Sequence, residues 1–502
     1  MSAEERLRAI DRNSKQSLTA QIVEVFADAI TRGELGAGEK LPPTRTLAKL
    51  AGVNQLTAAR AYRHLQDVGA VVSEVGRGTF VRAAAPHAQE PQAKTDGTWQ
   101  TYVLPSEAVD EAGRILGEMM RHVTAAATIP LSAGYPPNEI IPLELLREAS
   151  TRALARHGAS SFAYGSVEGF QVLRDELAKL GRERGLDDDP DSIIVTTGAR
   201  QAITLVTRAV LRPGDKVACE SPTFMGNLEA LKAVGAQPLP VPLDEQGLDV
   251  AALEQLLRRH EIRMVVVQPR AHNPTGYDLS RERRLRLIEL ARQHGFFILE
   301  DAVYADLRYE GEDLGPLRAL APPHVIYVDS FSKTFGPGLR AGWIAASGPV
   351  LERLVAEKRN ADTHSATLPQ QIVTEFLSSG HYPEQLRRAR AMFRQRRDAL
   401  LQALDDEIAP FARFSRPVAG GHVWLTLHQA CDDDRLYNEA LAAGVGIVPG
   451  KAMLVDRPRS THLRLSFCLL EPALMREGVS RLAGVLRALQ EVHYTRQSLP
   501  LN

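Results

Sequence analysis

A short apolar run, Val325-Ile326-Tyr327-Val328, ends abruptly in Asp329-Ser330-Phe331-Ser332-Lys333-Thr334-Phe335-Gly336-Pro337-Gly338-Leu339-Arg340. An unbroken β-branched and aromatic run of this length predicts a buried strand. Such strands belong to sheets covered by helices, and ligands bind beyond their carboxyl ends. The residues after the run suit that place. Lys333 can condense with an aldehyde once its amine is deprotonated, which a desolvated or cationic setting favours. The hydroxyls of Ser330 and Ser332 and the guanidinium of Arg340 can hold a phosphate. A lysine in a Gly/Pro loop is also ordinary solvated surface, so the stretch needs support from the rest of the chain.

Upstream runs supply it. Ile193-Ile194-Val195, Lys216-Val217-Ala218, Met264-Val265-Val266-Val267 and Phe296-Phe297-Ile298-Leu299 alternate with helical patterns such as 253–260 and 281–294. This predicts an α/β body with a mostly parallel sheet and crossover helices. Thr196-Thr197-Gly198-Ala199-Arg200 opens a helix whose first N–H groups form an anion site. Ser221-Pro222-Thr223-Phe224 puts an aromatic ring at a strand end, where loop packing and cofactor stacking are both open readings. Gln268 to Gly276 is a turn carrying Asn273. Asp301 directly follows a buried run, where an acid is costly unless paired. A cationic partner is therefore expected for it, and Tyr304 lies one helical turn on.

A chain of 502 residues exceeds one ordinary core, and its first 82 residues follow a different pattern. Leu18, Ile22, Val25, Phe26 and Ile30 predict an amphipathic helix over 17–32, closed by Gly33, Gly36 and Gly38. A second helix is expected from an N-cap at Thr44, with Leu47, Ala48 and Leu50 inward. After the turn Ala51-Gly52-Val53-Asn54, the residues Leu56, Ala59, Tyr62, Leu65 and Val68 mark a third helix over 55–67. A hairpin over 71–81 with a Gly76-Arg77-Gly78 tip completes a winged helix-turn-helix. Gln55, Thr57, Arg60 and Arg63 lie in the early turns of the third helix, where such modules meet the major groove. Arg45 and Lys49 are placed to reach phosphates, and Arg77 to approach the backbone or minor groove. A small protein-interaction module with solvated arginines is the competing reading.

Residues 83–130 are expected to be a tether, rich in Ala, Pro and Gln, with an amphipathic helix over 106–123. The net charge of −1 gives no global basic field, so DNA contact must be local. Cys219, Cys431 and Cys468 are too dispersed for a disulfide framework or a CxxC metal site; no metal is expected, and a reducing, cytoplasmic setting is. No apolar run is long enough to span a membrane.

The head resembles the GntR-type winged helix-turn-helix through Leu41-Pro42-Pro43-Thr44-Arg45, Leu47-Ala48, Gly52-Val53, Thr57, Arg60-Ala61-Tyr62, Leu65, Gly69 and Gly76-Arg77-Gly78-Thr79-Phe80-Val81. The resemblance implies contacts with an operator in double-stranded DNA at Arg45, Gln55, Thr57, Arg60, Gly76, Arg77 and Gly78. Pro43 and Thr44 replace the family's usual Ser-Glu, and Gln55 replaces a frequent arginine, which bears on base preference.

From about residue 131 to the end, the order Gly198, Phe224, Asn273-Pro274-x-Gly276, Asp301-x-x-Tyr304, Ser330-x-Ser332-Lys333, Arg340 resembles the fold-type I aminotransferases that use pyridoxal 5′-phosphate (PLP). That resemblance implies a large domain built on a mostly parallel sheet and a smaller C-terminal α/β domain. It implies a Schiff base at Lys333, Asp301 on the pyridinium nitrogen, Asn273 and Tyr304 on the ring oxygen O3′, and Phe224 on the ring face. Phosphate would rest on Ser330, Ser332, Arg340 and the amides of Ala199 and Arg200 after Gly198. Arg464 aligns with the arginine that grips a substrate carboxylate. Asn273 and Tyr135, in Gly134-Tyr135-Pro136-Pro137, would complete the substrate side, and Gly420-Gly421-His422 would be a nearby loop. Tyr164 looks like the tyrosine that reaches the phosphate of a neighbouring subunit, which implies a homodimer. Phe224 lacks a hydroxyl that related proteins often have there, and Arg200 replaces a common glutamine.

Together the halves resemble the MocR-type regulators, which join a GntR-type head to an aminotransferase-like effector domain. The expected organisation is a DNA-binding head over 1–82, a linker over 83–130 and a PLP-binding body over 131–502. The function implied is transcription regulation by a body that senses an amino compound or PLP at Lys333. A metabolic aminotransferase with an appended head is the alternative, because no residue needed for transamination is evidently missing.

Overall fold

The computed structural model describes residues 3–11, 16–36, 38–67, 70–74, 78–81, 117, 128–456 and 458–497. The expected tether and its helix over 106–123 lie outside the described residues apart from Gly117 and 128–130, as do Gly76 and Arg77. The chain divides into two compact units, residues 1–106 and 107–502.

In the first unit, helices Ala3–Arg8, Leu18–Thr31, Thr44–Leu50 and Gln55–Asp67 precede a hairpin of β1 (Val71–Glu74) and β2 (Gly78–Val81). Ser17 caps the second helix by accepting from the Ala20 amide at 3.2 Å, and Asn54 caps the fourth by accepting from the Thr57 amide at 2.7 Å. Both satisfy N–H groups that a helix start leaves without partners. Thr44 is not the expected cap: it is the first helical residue, and Pro43 before it offers no side-chain acceptor. Ile22, Phe26, Leu47, Ala58, Ala61, Tyr62 and Leu65 form the core with Val71 and Val81 of the hairpin. The Tyr62 hydroxyl donates to the Pro42 carbonyl, tying the fourth helix to the turn before the third. Leu56, expected inward, is instead 62% exposed.

The second unit is built on an eight-stranded sheet: β3 (Ile193–Thr196), β4 (Lys216–Ser221), β5 (Gln237–Asp244), β6 (Gly247–Leu248), β7 (Ile262–Val267), β8 (Phe297–Asp301), β9 (Val325–Ser330) and β10 (Gly342–Ala345). The spatial order is β3-β10-β9-β8-β7-β4-β5-β6. Strands β9, β8, β7, β4 and β5 run parallel in that order. In β9, β8, β7 and β4 the apolar residues face helices on both sides and most interior positions are buried, whereas β5 buries only Val241. β10 enters antiparallel between β3 and β9. Its first residue, Gly342, lies beside Thr196 and Ser330 in the two registers, which gathers three loops at one place. β5 carries Pro238, Pro240 and Pro242, residues that ordinarily argue against a strand. Their alternation puts all three on one side; the strand pairs with β4 over 237–242 and with β6 only at Leu243 and Asp244.

The smaller sheet has β11 (Ala412–Phe414), β12 (His422–Leu427), β13 (Val448–Pro449) and β14 (His462–Ser466), all antiparallel, in the order β11-β12-β14-β13. Helices Tyr382–Glu407 and Pro472–Gln497 cover it around Phe393, Leu400, Val423, Leu465, Phe467 and Val479. His422, expected in a loop, is the first residue of β12 and is buried. Among the described residues no helix is long and apolar enough to cross a membrane, and no His, Cys, Asp and Glu cluster has metal-ligand geometry.

Candidate functional site

The ends of β3, β7, β8 and β9 converge on a cavity of about 200 Å3. Its walls include Ala199, Arg200, Phe224, Asn273, Asp301, Tyr304, Ser330, Ser332, Lys333 and Arg340. Residues spread over more than a hundred positions thus meet because parallel strands end on one edge.

Lys333 Nζ donates to the Gly134 carbonyl at 2.7 Å and stands 5.3 Å from the Tyr304 ring centre. Desolvation by burial lowers its pKa, and Arg464 and Arg340 act in the same direction. An amine so placed gives up its proton more readily than a surface lysine.

Asp301 is 4% exposed. It accepts from Gln268 Nε2 at 2.6 Å and from the Val303 amide at 3.2 Å. The expected cationic partner is not there: these neutral amides hold the carboxylate, and among the described residues no side chain forms an ion pair with it. Burial raises its pKa. Gln268 does more, because its Oε1 accepts from the Asn273 backbone N–H at 2.6 Å while its own backbone N–H donates to Glu220 at 2.9 Å. Sequence reasoning missed Gln268; its position at the end of β7, in the same edge as Asp301, was the available signal.

The Tyr304 hydroxyl donates to the Gly134 carbonyl at 3.1 Å and lies 2.9 Å from His422 Nε2. His422 Nδ1 lies 2.7 Å from the Ser466 hydroxyl. With the Tyr304 proton on Gly134, His422 donates from Nε2 and accepts at Nδ1. Burial, then Arg464 and Lys333, hold its pKa well below 6.5, so the ring is neutral.

Arg464, in β14, is 4% exposed. It donates from Nη1 to Asn273 Oδ1 at 3.2 Å and from Nη2 to the Ser132 carbonyl at 2.9 Å, and its Nε has no partner among the described residues. Gly134 packs so closely that a Cβ there would fall 2.9 Å from His422 and 3.7 Å from Arg464. A buried cation served only by neutral oxygens favours an incoming carboxylate.

The phosphate side is equally specific. Ser330 Oγ and Ser332 Oγ are 2.8 Å apart, and Ser330 Oγ donates to the Ala341 carbonyl at 2.9 Å. Helix Ala199–Val210 starts at the cavity after Gly198 (φ +100°), with no side-chain cap. Arg340 donates to the Thr197 carbonyl at 2.6 Å, and a Cβ on Gly198 would meet its Nη2 at 3.0 Å. Free helix-start amides, hydroxyls and a guanidinium make an anion cradle. The Arg200 guanidinium pairs with Glu229. Phe224 packs so close to Gly226 that a side chain there would strike its ring.

These residues fit PLP: a desolvated lysine for its aldehyde, a buried acid without a cation for its ring nitrogen and an anion cradle for its phosphate. Two expected residues stand apart from the cavity. Tyr135 is half-buried without lining it, and Tyr164 is 91% exposed with its ring edge-on to His364 at 5.5 Å.

In the head, Arg45, Gln55, Arg60 and Gly78 are exposed and Thr57 is half-buried. Lys49 and Arg63 are exposed as well, and among the described residues Arg45, Lys49, Arg60 and Arg63 form no ion pair. Residues 18–81 match the family of bacterial regulatory proteins, gntR family, and residues 127–482 match aminotransferase class I and II. The chain is 34% identical to aromatic-amino-acid aminotransferase 1 of Thermococcus litoralis, over 74% of this chain and 90% of that protein. It is 30% identical to the HTH-type transcriptional regulator TauR of Rhodobacter capsulatus, over 94% of this chain and 97% of that one. The multiple substrate aminotransferase of Thermococcus profundus superposes with a TM-score of 0.74 at 30% identity, covering 78% of this chain and 99% of that structure. The chain therefore belongs to the aminotransferase class I and II family and, through its gntR-family head, has the architecture of the MocR-type regulators.

Proposed function

We propose that this protein is a PLP-binding, DNA-binding transcription regulator whose body senses an amino compound, or PLP itself, at Lys333. One observation carries the reading: a gntR-family head shares a chain with a cavity holding a desolvated lysine, an acid without a cation and a phosphate cradle. Bound PLP supplies an aldehyde that condenses with primary amines and a ring that withdraws electrons.

The chain's own residues do the rest. Asp301, steadied by Gln268, holds a proton at the ring nitrogen. Asn273 and Tyr304 are assigned to O3′, with His422 orienting the Tyr304 hydroxyl. Ser330, Ser332, Arg340 and the amides of Ala199 and Arg200 hold the phosphate, and Phe224 covers the ring. Arg464 receives the carboxylate of the amino compound. Tyr164 is assigned to the phosphate site of a second copy in a homodimer, and the exposed Leu143, Phe162 and Tyr164 are the surface for that contact. Arg45, Gln55, Thr57, Arg60 and the 76–78 tip are assigned to operator DNA. A ligand repositions the heads only through different affinities for two states of the body.

A second reading, a turning-over aminotransferase, is favoured by the relatives that carry that name and by the intact set Lys333, Asp301, Arg340 and Arg464. Titrating the PLP-loaded protein with amino acids, amines and 2-oxo acids separates the two. A visible-band shift without sustained product marks a sensor. Repeated turnover with an amino donor and an oxo-acid acceptor overturns that assignment.

A further inference from the structure

Helix Gln55–Asp67 carries one apolar side chain that the head does not use for packing. Ala58, Ala61, Tyr62 and Leu65 form its buried stripe, whereas Leu56 is 62% exposed. At about 100° per residue, Leu56 lies roughly opposite the centre of that stripe. Arg60 and Arg63, four and seven positions on, share its face, and both are exposed and free of ion pairs among the described residues. Leu56 also sits in the first turn, one residue after the exposed Gln55 and next to the Asn54 cap.

A lone exposed leucine is ordinary on a protein surface. The surroundings of this one are not. An apolar partner surface would have to be accepted together with two bare guanidinium groups, at a desolvation cost. A DNA duplex matches all three side chains at once. Its phosphates flank the groove and pair with arginine, and the floor of the major groove carries one apolar group, the 5-methyl of thymine.

We propose that Leu56 packs on a thymine methyl group in the major groove and so fixes one base of the operator. The inference rests on the regulator reading above and adds a specificity residue to it. Cytosine at that position offers a hydrogen-bond donor and no methyl, and leucine can repay neither loss.

The test uses the full-length, PLP-loaded protein. Selection from a random duplex library yields its preferred site, and each thymine in that site is then replaced by deoxyuridine, which removes the methyl alone. We expect one position at which the replacement weakens binding about fourfold, the worth of one buried methyl-sized group. The same replacement leaves Leu56→Ala unaffected. Leu56→Ala is expected to fold as the parent does, because the side chain is 62% exposed and outside the head's core cluster among the described residues, and its circular dichroism checks this. The inference is overturned if no deoxyuridine position affects the parent, or if Leu56→Ala keeps the full penalty. It is also overturned if Leu56→Ala changes self-association in sedimentation while its response to deoxyuridine is unchanged, since the leucine then serves a second copy of the chain. Arg60→Ala separates the two levels of failure. A parent that selects no duplex sinks the regulator reading and this inference together. A parent that selects one and loses it with Arg60→Ala, yet shows no deoxyuridine effect, leaves the regulator reading standing and removes Leu56 from it.

Discussion

Replacing Gly342 by alanine probes how tightly the phosphate cradle is built. The residue stands between Thr196 of β3 and Ser330 of β9. A Cβ there falls 2.8 Å from the Cα and carbonyl carbon of Gly198 and 2.9 Å from the Asp329 carbonyl oxygen. All three are backbone atoms, so no side chain can swing aside. Carbon pairs rest at about 3.5–4.0 Å, so the strand ends must part by roughly 0.7–1.2 Å. Overpacking of that kind costs about 1–3 kcal/mol. The displacement also reaches Arg340, which lies against Gly198. Losing one charge-assisted hydrogen bond to phosphate costs about 1.5–3 kcal/mol, or about ten- to a hundredfold in PLP affinity. Calorimetry of the PLP-free protein and a fluorescence titration with PLP measure the two effects. Gly484→Ala is the control: its site is helical with nothing within 4 Å, so a gain of up to about 1 kcal/mol is expected. A Gly342→Ala protein with both Tm and PLP Kd unchanged would refute the reasoning.

Other outcomes follow from the same geometry. Lys333→Ala should abolish the visible band of bound PLP while leaving the head able to bind DNA; a retained band would assign the chemistry to another lysine. His422 is neutral in the fold and its pKa lies well below 6.5, so below that pH the unfolded chain binds more protons than the native one. Stability should therefore fall as pH drops from about 6.5, by at most about 1.4 kcal/mol per pH unit, and His422→Gln should flatten that dependence in thermal melts. Arg45→Ala with Arg60→Ala should remove specific DNA binding and lower the salt slope by about one for each phosphate that is no longer neutralised. An unchanged slope in anisotropy titrations would place both arginines away from DNA.

The parts of the site that follow an apolar run were legible in the sequence. Asp301, Asn273, Ser330 and Lys333 each appear where a buried strand stops, so the strand pattern points at them. Gln268 and His422 were not legible in the same way, because their roles depend on partners from distant strands. A glutamine after β7 becomes informative only when Asp301 of the adjacent β8 is known to lack a cation. The helical head was readable from period and capping, yet Leu56 was misplaced. Apolar spacing grouped it with Ala59, Tyr62 and Leu65, whereas Ala58 and Ala61 join Tyr62 and Leu65 in the buried stripe. β5 is not among the strand-like runs of the sequence: its prolines are compatible with a strand only because they alternate beside a sparsely paired edge.

The charges left unmatched in the body amount to a template. Among the described residues Asp301 has no cation and neither Arg340 nor Arg464 has a carboxylate. A molecule that neutralises all three must carry two anionic groups and one cationic group on a single frame, as a phosphorylated pyridine joined to an amino acid does. PLP alone corrects part of the imbalance and the amino compound corrects the remainder. On the proposed reading, occupancy is felt in two electrical steps: PLP makes the body whole, and the amino compound adds the remaining charge.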